Sequence, residues 1–163
     1  KQCLGKFLMN WSLDVPASEA WDLYSTSRLS KLVMEEIPNY IERLDIIQGD
    51  GGAGSVLKLT FAPGVAGPSS YIEKFTKIDN EKRVKEAELI EGGYLELGFS
   101  LYRYRYEVIE KGNDSSIIKS SIEYDIKEDA APNTSSLLNL HTLAHIAQLA
   151  KLHLTKNKSS SNL

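Results

Sequence analysis

Glu73 and Lys85 are the residues whose types and spacing suit acid–base chemistry, one a carboxylate and one an ammonium. From Ser69 to Ile78 the side chains alternate, placing Tyr71, Glu73 and Phe75 on one side and Ile72, Lys74 and Thr76 on the other. Two flanking aromatics turn Glu73 inward; the competing reading is an exposed glutamate on a half-solvated strand. In the next segment Lys85, Ala87 and Leu89 share a face against Val84, Glu86, Glu88 and Ile90. The glutamates belong in water, which favours Lys85 inside, against the alternative of a buried stem with a wet ammonium. Asp79-Asn80 reads as a hairpin joining the two segments. A turn centred between Asn80 and Glu81 sets Lys85 opposite Thr76, about three positions or roughly 10 Å along the strand from Glu73. That spacing permits an ion pair without requiring one, and equally lets both groups reach one bound ligand.

Tyr102, Tyr104 and Tyr106 form a stripe on one face of a later run, with Arg103 and Arg105 on the other. Tyr124 shares a face with Ile122 and Ile118 on the segment that follows. Such a stripe is ordinarily core, but lining a cavity it offers hydroxyls and flat rings to an aromatic ligand. Other signals are weaker. The run Gly49-Asp50-Gly51-Gly52-Ala53-Gly54-Ser55 lacks the Gly-Lys-Ser/Thr ending and the following helix of a phosphate loop, so it reads as a tight strand connection. His141 and His145 lie one helical turn apart, with no glutamate between them and no third ligand, so no zinc site is expected. Cys3 is the single cysteine; it cannot form an internal disulfide and reads as a free surface thiol. No Gly-x-Ser-x-Gly elbow occurs.

Holding these side chains calls for strands around a core. Residues 6 to 15 alternate about Phe7, Met9, Trp11 and Leu13, and short helices follow near Pro16–Tyr24 and Leu29–Glu36, the second ended by Pro38. Strands are expected at Glu42–Ile47, Ser55–Phe61, Ser69–Ile78, Arg83–Ile90, Leu95–Ile109 and Ser116–Lys127, broken by Gly-, Pro- and Asn-rich turns. The period then lengthens, and Leu137, Leu140, Leu143, Ala144, Ala147 and Ala150 predict a helix over Thr134–Thr155, with a flexible polar tail from about 157. The whole is an α+β fold: a seven-stranded, strongly curved antiparallel sheet around a long C-terminal helix, with two short helices and an internal ligand cavity. A length of 163 residues fits a single ligand-cavity domain. With 19 basic and 22 acidic residues the chain does not resemble a nucleic-acid binder, and no apolar run is long enough for a membrane span. It reads as a cytoplasmic monomer or weak dimer, in which Asn-x-Ser/Thr runs such as Asn10-Trp11-Ser12 are coincidental.

The glycine run 49–54 and the order of elements resemble the plant pathogenesis-related proteins related to the major birch-pollen allergen, over nearly the whole chain. More specific segments are Tyr71-Ile72-Glu73-Lys74-Phe75, Ile78-Asp79-Asn80-Glu81, Ile90 to Gly98 and Ile118 to Tyr124. Within the family these are similar to the norcoclaurine synthases. The resemblance implies a Pictet-Spengler condensation of a small aromatic amine, dopamine, with an aldehyde, 4-hydroxyphenylacetaldehyde, giving (S)-norcoclaurine without metal or organic cofactor. It implies Lys85, Glu73 and Tyr71 as the catalytic set, with Tyr71 at the cavity mouth. Tyr104, Phe75, Tyr102 and Tyr106 are expected to position the substrates. The family's aspartate is replaced here by Tyr104, which can donate a hydrogen bond but does not supply the same negative charge. The alternative is a non-catalytic carrier of alkaloids or other small aromatic ligands, or a related alkaloid-transforming activity. A ribonuclease role is disfavoured by the acidic balance and the lack of a paired-histidine arrangement.

Overall fold

The computed structural model describes residues 3–129 and 140–161. The elements run β1 (Cys3–Leu13), α1 (Ala17–Tyr24), α2 (Arg28–Glu36), β2 (Ile41–Gln48), β3 (Val56–Phe61), β4 (Ser70–Asp79), β5 (Val84–Gly92), β6 (Phe99–Gly112), β7 (Ser115–Ile126) and α3 (Leu140–Ser161). A short 3-10 turn, Gly93–Leu97, precedes β6. All seven strands pair antiparallel in one sheet, in the order β1-β7-β6-β5-β4-β3-β2.

That order corrects one expectation. The sheet is open, with β1 and β2 as its two outer edges, and is neither closed nor strongly curved. Alternation assigns side chains to faces but says nothing about the angle between neighbouring strands. Enclosure comes instead from what covers the inner face: α2, the 62–69 loop and α3 all contribute walls to the cavity.

The helices form where burial demands them. Pro16 precedes α1, and its carbonyl accepts from the Glu19 and Ala20 amides, so the residue without an amide hydrogen stands where none is needed. One face of α1 buries Ala20, Trp21, Leu23 and Tyr24. Leu29, Leu32 and Val33 give α2 a matching stripe, and the chain leaves it extended at Ile37, before Pro38. Along α3, Leu143, Ala147, Ala150 and Leu154 are buried at alternating spacings of four and three, the stripe of a helix on a core. This helix continues to Ser161, past the Thr155 at which its apolar pattern ends. Its expected first turns, from Thr134, lie outside the described residues.

Two local departures shape the site. The β4–β5 connection is a turn over residues 80–83 rather than a two-residue hairpin. The Asp79 carboxylate accepts from the Glu81 and Lys82 amides, and Arg83 takes a left-handed φ of 53°. As a result Lys85 pairs with Ile78, not Thr76. In addition, Leu95–Leu97 belong to the 3-10 turn rather than to a strand. The chain enters that turn through Gly92, at φ 74°, where a Cβ would stand 2.7 Å from the Ser70 carbonyl oxygen.

Candidate active site

On the inner face of the sheet, β4 presents Tyr71, Glu73 and Phe75, β5 presents Lys85 and Ala87, and β6 presents Tyr104 and Tyr106 to one cavity of about 400 Å³. Glu73 is 5% exposed and Lys85 3%, so both inward readings hold and the exposed alternatives do not. Leu29 and Val33 of α2, Val65 and Pro68 of the β3–β4 loop, and Ile146 of α3 close the space with apolar walls. Ala87 pairs with Phe75 on one side and Tyr104 on the other, leaving room where a longer side chain would fill the floor.

Glu73 faces Leu57 on β3 and Leu89 on β5, both buried. Burial between these side chains desolvates its carboxyl and pushes it up to about 7, partly opposed by the Lys85 charge. Lys85 sits between Ile78 and Tyr106. Burial drives its ammonium down to about 8, with Glu73 pulling the other way. Its Nζ donates to the Thr26 carbonyl at 2.9 Å and lies 3.9 Å from the centre of the Phe75 ring. Among the described residues no ion pair joins Glu73 to Lys85. Leu89, opposite Glu73, is four positions from Lys85 along β5, roughly 13 Å. The two groups therefore act on one cavity from separate stations.

The phenols remain neutral donors. Burial raises Tyr71 and Tyr104 well above the ordinary tyrosine value, and Tyr106 is raised for the same first reason. Tyr102 differs from expectation. It is 1% exposed and does not line the cavity; its ring stacks on Tyr94 at 4.4 Å and meets Tyr104 edge-on at 5.3 Å. Its role is to back the two tyrosines that do face the space. Arg103 and Arg105 occupy the outer face, paired with Glu123 and Glu86.

Sequence periodicity overlooked two lining residues, Tyr40 and Tyr94, and the partner of the Lys85 ammonium, Thr26. Tyr40 follows the Pro38 break, Tyr94 lies in the 3-10 turn, and Thr26 acts through a backbone carbonyl. All three sit on irregular backbone, where alternation carries no information; aromatic residues next to Pro and Gly breaks were the available signal. Among the described residues no three His, Cys, Asp or Glu side chains gather as metal ligands, and no helix is long and apolar enough to cross a membrane. The arrangement can bind a flat aromatic molecule, donate a proton from one end and accept one at the other.

Comparison with known proteins agrees with this geometry. The sequence profile of the pathogenesis-related protein Bet v 1 family matches residues 5–157. Norbelladine synthase of Narcissus pseudonarcissus is 42% identical over 151 residues, covering 93% of this chain and 92% of that protein. S-norcoclaurine synthase of Thalictrum flavum subsp. glaucum is 40% identical over 157 residues, covering 95% and 74%. The crystal structure of the Thalictrum flavum norcoclaurine synthase with dopamine and hydroxybenzaldehyde superposes with a TM-score of 0.85 at 35% identity, covering 95% of this chain and 88% of that one.

Proposed function

The chain belongs to the pathogenesis-related protein Bet v 1 family, and from that membership and its cavity we infer that it is a carbon–carbon bond-forming lyase of the norcoclaurine synthase kind. It condenses dopamine with 4-hydroxyphenylacetaldehyde to (S)-norcoclaurine. The observation that carries this reading is a buried carboxylate and a buried ammonium facing one phenol-lined cavity from separate positions.

Each group has one task. The amine nitrogen attacks the aldehyde carbon, one of its protons passes to the former carbonyl oxygen to give a hydroxyl, and the Lys85 ammonium donates a second proton to that hydroxyl, which leaves as water as the C–O bond breaks. The iminium ion that remains is attacked by the catechol ring, forming the new carbon–carbon bond. Glu73 then takes the ring proton, and the electron pair of that C–H bond restores aromaticity. A carboxylate raised to about 7 is a stronger base than an exposed one, and an ammonium lowered to about 8 is a better donor that stays largely charged at neutral pH. Tyr71 and Tyr104, both held neutral, orient the hydroxylated rings by donating hydrogen bonds. Phe75 and Tyr106 flank Lys85 and restrict where its ammonium can reach.

A second reading has its own support. Norbelladine synthase matches at 42% identity over nearly its full length, and Tyr104 replaces the acidic group expected of a norcoclaurine synthase. On that reading the same cavity makes the norbelladine product. Incubation with dopamine and 4-hydroxyphenylacetaldehyde, followed by chiral chromatography, tests the norcoclaurine reading. Stereoselective norcoclaurine above the background rate is the expected result; racemic background alone would overturn it, leaving the norbelladine reading or, with tight binding of the amine, a carrier.

A further inference from the structure

We propose that the glycine-rich loop, residues 49–55, is the positioning element for Lys85, gripping both halves of the cradle that holds its ammonium. The proposal rests on Lys85 being the proton donor, and it begins from the two contacts of Nζ: the Thr26 carbonyl and the Phe75 ring. Pairing with Ala87 holds Phe75 beside the strand that carries Lys85, but Thr26 lies on the α1–α2 turn, outside the sheet, so something must hold that turn in register with β4.

The loop binds each of them. On one side the Ser27 amide, next in chain to Thr26, donates to the Gly51 carbonyl at 3.0 Å. On the other, the Gly54 amide donates to the Phe75 carbonyl at 3.0 Å, and the Phe75 amide donates to the Ser55 carbonyl at 2.9 Å. Inside the loop, the Gly51 amide donates to the Ser55 hydroxyl at 2.9 Å, and Ser55 is fully buried. Gly51 has φ 98°, and a Cβ there would lie 2.6 Å from the Ser27 hydroxyl. The glycine permits both the left-handed backbone and the close approach of the α1–α2 turn. The loop thus fixes the distance between Thr26 and Phe75, and Ser55 is the bolt that fixes the loop.

A carbonyl acceptor and an aromatic face both favour the charged form of an amine. Other groups facing Lys85 are Glu73 from β4, Tyr106 from β6 and, edge-on to Tyr106 at 5.2 Å, Tyr24 from α1. From α3 the cavity receives the apolar Ile146, and Glu86 and Arg105 pair on the opposite face of the sheet. None of these partners shares a hydrogen bond with Ser55.

The test uses protein labelled with carbon-13 and nitrogen-15 in lysine, with the Lys85 signal identified by its loss in Lys85→Met. In Ser55→Ala the Lys85 titration is expected to move down by about half a unit to one unit. The high-pH limb of turnover should move with it, reducing the rate at pH 8 roughly two- to fivefold. Asp50→Ala, which removes the acceptor for the Gly52 amide at the exposed side of the loop, should cause a smaller shift in the same direction. Thr76→Ala, which deletes a hydroxyl contact to the Glu86 carbonyl, controls for general loosening and should leave the titration in place. A Lys85 titration unchanged in folded Ser55→Ala would overturn the proposal. So would a rise toward the ordinary lysine value, since water would then hold the ammonium better than the Thr26 carbonyl does. The spectroscopic titration needs no substrate, so a wrong assignment of the reaction leaves this test intact.

Discussion

Burial brings the proton affinities of Glu73 and Lys85 close together, one raised to about 7 and the other lowered to about 8. A base that must be ionised and an acid that must be protonated then share a narrow window. Turnover against pH should be bell-shaped, rising through Glu73 near pH 7 and falling through Lys85 near pH 8; a flat profile from pH 5 to 10 would contradict the assignment. Lys85→Met should reduce kcat by at least about a hundredfold. Methionine fills the stem's volume without a buried charge, so circular dichroism and melting should remain those of a folded protein. Unaltered kinetics would remove Lys85 from the mechanism. Tyr104→Phe keeps the ring and deletes one hydroxyl, with an expected loss in kcat/KM of about five- to tenfold from a single hydrogen bond. An unchanged kcat/KM would return Tyr104 to a packing role.

Among the elements, α1 and the β4–β5 turn hold each other through one polar contact. The Trp21 indole nitrogen donates to the Asn80 side-chain oxygen at 2.9 Å, with Trp21 itself buried. Asn80→Ala leaves that donor without its partner and should cost about 1–2 kcal/mol, lowering the melting temperature by roughly 3–6 °C in a calorimetric scan. The strands and both short helices were legible from alternation and from Pro16 and Pro38, with most ends displaced by a residue or two and those of β1 and β6 by up to four. Register was less legible. Asp79 reaches forward to two amides and Arg83 turns left-handed, which lengthens the turn and moves Lys85 from Thr76 to Ile78. Composition names a turn there, but the side-chain bonds that set its length belong to the folded structure.

At the scale of the whole molecule, placing a carboxylate between two leucines sets activity against stability. Glu73 titrates at 4.5 when exposed and near 7 in the fold, so the native state holds its proton more tightly than the unfolded chain. The stability it contributes is complete below pH 4.5 and is lost as pH rises through 7, a change on the order of 3 kcal/mol. Lys85 acts in the opposite sense at higher pH: its cost is full below 8 and disappears as the unfolded lysine also deprotonates near 10.5. In Glu73→Gln the fall in stability between pH 4.5 and 7 should flatten, measured by urea unfolding across that range; an identical slope in both proteins would show that Glu73 is not desolvated. By itself the sequence determined the seven strands and the division of β4 and β5 into two faces, with Glu73 and Lys85 as candidates for the inner one, because alternation with period two is a local property. Only the tertiary structure decided that the sheet stays open, that α2, α3 and a loop enclose the cavity, that Tyr102 stands behind it, and that Thr26 and Phe75 hold the ammonium. Those facts depend on contacts between residues distant in the chain, whose geometry no local pattern encodes.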